Sequence, residues 1–158
     1  MSPLLWFTAL THSGLGHLMQ NSKWGFAIIE TVHLLALAIL GGTVLIVDLR
    51  LLGIILKRES ARVISRDLSR LLLASLAVMI LSGITLLSEE ALKCYYSPAF
   101  RWKMVLLTTA VVFYFTLHRR ALLHIDKGTS NLWTRIAAIV SLVLWLGVGA
   151  AGRAIGLL

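Results

Sequence analysis

Apolar residues run almost unbroken through residues 24–47, 71–87, 104–117 and 136–158. A helix rises about 1.5 Å per residue, so each run approaches the length that crosses a hydrocarbon core of about 30 Å. The pattern predicts an all-α, polytopic membrane protein whose four spans form an up-and-down bundle. Residues 3–20 read differently. Thr8, Thr11, Ser13, Gly14 and Gly16 interrupt the apolar pattern there, while Trp6 and Phe7 suit the headgroup boundary. The expected organisation is an interfacial helix within residues 1–22, followed by a four-span bundle over residues 23–158.

Local punctuation refines the elements. Asn21-Ser22 supplies a cap for the first span, whose helix is expected to run on to about Leu56. Ser60 caps the next helix, which begins amphipathic and ends near Glu89-Glu90. Cys94, Tyr95 and Tyr96 read as a loop before Ser97-Pro98, a helix-start signal. The third helix closes on His118, and residues 126–131 read as a turn. No basic segment precedes an apolar stretch in the first nineteen residues, so no removable signal peptide is expected.

Composition agrees with lipid burial: 58% of residues are hydrophobic and 14% charged, against about 25% charged in soluble domains. The net charge of +8 would suit nucleic acid. However, the cations lie between apolar runs, where they set topology and meet anionic headgroups. The connections between spans one and two and between spans three and four hold Arg50, Lys57, Arg58, Arg62, Arg66, Arg70, Arg119, Arg120, Lys127 and Arg135; the other side holds Lys23, Lys93, Arg101, Lys103 and Arg153. This asymmetry places the two richer connections in the cytoplasm of a bacterial inner membrane. A lone cysteine, Cys94, excludes an intrachain disulfide and a thiolate-rich metal site.

Against this apolar background, ionisable groups inside the spans stand out as functional candidates. Glu30 and His33 share a helix face. His33 is either interhelical glue or an axial ligand of haem iron. A di-iron site is disfavoured, because the Glu-x-x-His pair occurs once and that design needs it twice. His33 lies about 14 Å in from Trp24, and His118 about 24 Å in from Trp102, a poor match in depth. Met79, about 15 Å in from Glu89, matches His33 and is the alternative second ligand. His12 and His17 could fold over the outer end toward His33. His118, Arg119, Arg120 and His124 form a basic cluster that suits lipid phosphate or a cofactor carboxylate, with Asp48 placed to neutralise one of its cations. Glu89 and Glu90 with Lys93, Arg101 and Lys103 read as a solvated ion-pair network. Gly41, Gly42, Gly149, Gly152 and Gly156 permit close helix packing or a slot for a flat cofactor.

The run His33-Leu-Leu-Ala-Leu-Ala-Ile-Leu-Gly41-Gly42, with Arg50 ending its helix, resembles the first span of CopD-like copper-resistance and HemJ-like haem-biosynthesis membrane proteins. Arg101-Trp102-Lys103-Met104-Val105-Leu106, closing on His118, is similar to a later span of theirs. The whole arrangement resembles most an uncharacterised family of bacterial four-helix membrane proteins. The resemblance implies haem b or copper as cofactor and implicates His33, Lys103 and His118, the two histidines as metal ligands. Ile39-Leu40 stands where those families often place a Trp, and no histidine follows Arg50.

The leading expectation is a small b-type haem subunit that passes electrons between a periplasmic partner and the quinone pool. Its cofactor-binding candidates are His33, His118, Met79, His17, Glu30 and Lys103. The alternatives are a non-catalytic membrane anchor of a larger complex and a CopD-like copper transporter. Lipid bilayer, a protein partner and quinone are the expected partners, and nucleic acid is not.

Overall fold

In the computed structural model, residues 3–14, 17, 21–56, 58, 60–89, 91–118, 120 and 132–155 are described. Helices α1 (Pro3–Thr11), α2 (Lys23–Leu51), α3 (Ala61–Glu89), α4 (Ala91–Tyr96), α5 (Pro98–Phe113) and α6 (Leu132–Ile155) follow in order, with a π-helical turn, Tyr114–His118, continuing α5. No strand occurs among the described residues. The segments Trp24–Leu51, Val63–Glu89, Pro98–His118 and Leu132–Ile155 are long and apolar enough to cross a membrane. The chain is an all-α, multi-pass membrane protein.

The outside of the bundle has the chemistry that lipid demands. Leu35, Leu81, Val143 and Leu146 are each more than 60% exposed, so the surface is as apolar as the interior. Exposed hydroxyls return to their own helices: Thr31 donates to the Ala27 carbonyl, Thr109 to Val105 and Thr116 to Val112. Such bonds spare these three donors from facing hydrocarbon unpaired.

Local signals explain the helix ends. The Ser22 side chain accepts the Gly25 amide at 3.0 Å and caps α2. This helix stops at Leu51 rather than Leu56. Gly53 adopts φ +76° and Leu56 φ +48°, left-handed conformations that end a helix whatever the hydropathy beyond it. The expected loop around Cys94 is the short helix α4 instead. It ends where the Ser97 amide donates to the Lys93 and Cys94 carbonyls, just before Pro98. Pro98 opens α5, whereas the Ser97 hydroxyl makes no capping bond. The predicted turn over residues 126–131 lies outside the described residues, as do His124 and Gly156.

Helix α2 packs on α3 and on α6, α6 packs on α5, and the backbones of α3 and α5 stay apart. On α2 the inward stripe is Ala36, Leu40, Val44, Val47 and Leu51, the three-and-four spacing of a buried helix face. Ala36, Leu40 and Val44 meet Leu72, Leu76, Met79 and Tyr114 in the main core. Val47 and Leu51 meet Ala138 in a second cluster. The predicted interfacial segment is α1, which ends at Thr11 and lies on α4. Its Phe7 ring is 5.3 Å from Tyr95 and 6.2 Å from Phe100, while Trp6 points outward.

Candidate functional site

Where α3 and α5 diverge, the space between the helices is a cavity of about 300 Å³. That volume is at the lower end of the range for small-molecule sites. Four of the residues singled out from sequence, Glu30, His33, Met79 and Lys103, line it together. Its walls are otherwise mostly apolar, from Phe26, Leu37, Leu86, Phe100 and Val148.

His33 is the best-defined polar group here. Its Nδ1 is 2.8 Å from the Ser82 Oγ across the α2–α3 interface. The Ser82 hydroxyl spends its single proton on the Val78 carbonyl at 2.7 Å, so its oxygen accepts from the imidazole Nδ1–H. Nε2 then carries the lone pair. Metal-ligating histidines are oriented by a bond at the other nitrogen in the same way. Gly83 makes room for the ring: a Cβ there would lie 3.4 Å from the His33 Cε1. Met79 reaches the cavity from α3, whose Ser82 binds His33 of the neighbouring α2, so the two come from adjoining walls.

Lys103 faces them from α5. It turns inward, half-buried, against Gly152, where an added Cβ would lie 3.6 Å from its Cε and Nζ. Lys103 and Glu30 are both electrostatic neighbours of His33. Gly149 and Gly152 form part of the cavity wall, whereas Gly41 and Gly42 lie away from it.

The other singled-out histidines are elsewhere. His118 sits at the opposite end of the bundle, 1% exposed, with Nε2 2.6 Å from the Oδ1 of Asp48, itself 0% exposed. This partner is the carboxylate expected to neutralise a cation of the basic cluster. The π-turn adds one residue to the helical circuit, and it leaves Tyr114 and His118 buried and stacked with ring centroids 5.3 Å apart. Ser141 of α6 is a further polar neighbour of Asp48. The Nδ1 of His118 and the Oδ2 of Asp48 are buried without hydrogen-bond partners. His17 is exposed beside His12, with ring centroids 6.3 Å apart, and does not line the cavity. Among the described residues, no three His, Cys, Asp or Glu side chains converge to hold a metal ion.

A model for a "Family of unknown function (DUF6644)" matches residues 7–158. The chain belongs to that family. No curated protein and no solved structure matches it. For this DUF6644 protein the site therefore rests on its own geometry. Sequence reasoning missed Ser82 as the partner of His33, and Gly83 and Arg153 as cavity residues; a Ser-Gly pair inside an otherwise apolar span was the available signal.

The donor set fits a haem. One oriented imidazole offers Nε2, a half-buried lysine offers a cation for a carboxylate, and glycine-lined, apolar walls suit a flat ring system.

Proposed function

We propose that the protein is a small b-type haem subunit of the bacterial inner membrane, carrying electrons between a partner on the cavity side and the quinone pool. The carrying observation is the His33 imidazole, held through Nδ1 by Ser82 and lining an intramembrane cavity. The resemblance of the His33 and Lys103 segments to HemJ-like proteins points the same way.

Bound there, haem supplies one-electron redox chemistry. The chain's own residues do the rest. His33 binds iron through Nε2, Ser82 holds the ring in orientation, and Lys103 neutralises a carboxylate. Leu37, Leu86 and Val148 exclude water, which strengthens each polar contact inside. The copper reading gains no support from the side chains, since no three His, Cys, Asp or Glu converge among the described residues.

The test is the visible spectrum of the detergent-purified protein before and after dithionite. A b-type α-band on reduction is expected. A colourless protein from cells with ample haem would leave the accessory-anchor reading in front. Sidedness follows from the cation asymmetry: reporter fusions after Arg58 and Lys127 are expected to report cytoplasm, and one after Tyr96 the periplasm. A periplasmic signal at Lys127 would invert the topology.

A further inference from the structure

Among the described residues, the exposed lining of the cavity lies on one side. Toward the Asp48–His118 pair the cavity is stopped by the packed core of Leu40, Leu72, Leu76 and Tyr114. At the opposite end α1 and α4 lie over it, with Phe7 against Phe100 and Tyr95. Its lining residues on α3, α4 and α5 are buried or half-buried. The exposed ones are Glu30 and Leu34 on α2 and Arg153 on α6. These two helices touch at the pair end, through Val47, Leu51 and Ala138, so the opening lies between their cavity-end halves.

Depth decides what that opening faces. Leu34 is ten residues, or about 15 Å, in from Trp24, and it is 54% exposed. An opening that reaches this far along a span borders hydrocarbon as well as headgroups. Glu30 and Arg153, of opposite charge, stand on its two edges nearer the membrane surface. Ionisable groups at this depth mark a ligand pathway more readily than a packing contact.

We propose that the gap between the cavity-end halves of α2 and α6 is a lateral gate. The cavity is filled from the bilayer, by a lipid-partitioning ring compound that carries an anionic edge. The ring passes between Leu34 and the Leu146–Gly149–Arg153 face of α6 and settles against His33, while Lys103 meets the anionic edge. This deepens the haem reading and rests on it for the choice of probe.

The test closes the gate. Leu34→Cys and Leu146→Cys are combined in a Cys94→Ala background, joined in detergent by a flexible bismaleimide, and reconstituted into phosphatidylcholine vesicles. Haemin is then partitioned into the vesicles, and uptake is read from the Soret band. The unjoined protein is expected to take up haemin and the joined protein to lose uptake, while joining after loading preserves the band. Equal uptake by joined and unjoined protein overturns the gate. Should even the unmodified chain take up no haemin, the haem reading falls, and the gate is then judged by photocapture. A benzophenone amino acid at Leu86, on the far wall, is expected to capture lipid acyl chains on irradiation; absence of acyl adducts overturns the gate.

Discussion

His33 and His118 are each held through one ring nitrogen by a side chain on another helix, but what surrounds them differs. His33 bonds to a neutral hydroxyl and borders a cavity. His118 bonds to a carboxylate, stacks on Tyr114 and does not line the cavity, with both partners buried. An imidazole with a neutral partner and room beside its other nitrogen is arranged to receive a ligand. One sealed against a carboxylate is arranged as a clamp, since removing either partner strands a polar group in low dielectric. The clamp joins α2 to the end of α5, two elements whose backbones do not otherwise pack closely. It thereby holds His33 and Lys103 on facing walls at the other end of the same two helices.

The sharpest way to break this contrast is at the clamp. Asp48→Ala is expected to lower stability by about 3–5 kcal/mol, the usual result of stranding one member of a buried pair. Denaturant unfolding in detergent reads this loss, and replacing Asp48 and His118 together by leucine is expected to restore most of it. A single-variant loss below about 1 kcal/mol would make the pair no more than ordinary interhelical glue. His33→Ala comes next. It is expected to remove the b-type spectrum while costing about 1–2 kcal/mol at most in stability. Retained haem there would move attention to the other end of the bundle. Ser82→Ala keeps the ligand and removes its orienting partner, so haem affinity is expected to fall about 10–100-fold in a haem titration. The smallest effect is expected for Met79→Leu, which preserves volume and leaves the spectrum unchanged. A changed α-band would make Met79 a ligand despite its place on the adjoining wall.

The spans were legible because lipid imposes length and apolarity on every helix that crosses it, and Ser22 and Pro98 mark starts through local chemistry alone. The end of α2 was not legible, because Ile54, Ile55 and Leu56 continue the apolar pattern while the backbone turns at Gly53. Lys103, which the resemblance made a cofactor candidate, read from the residues alone as a surface cation. It continues the stripe of Leu106, Ala110 and Tyr114, the inward face of α5, and that spacing outweighs its nearness to the acidic residues at the end of α3. Partners were harder. Met79 and His33 match in depth, but depth fixes one coordinate, whereas rotation about each helix decides which groups meet.

The π-turn makes the length of this segment as informative as its composition. Wound as α-helix at its present length, the segment would turn about 100° per residue instead of roughly 80°, and the imidazole would swing about 70° around the axis. Asp48 would lose its partner although no residue at either end of the pair had changed. A relative shortened by one residue there would wind as α-helix and hold its histidine within about 30° of this one, so it is expected to keep the aspartate.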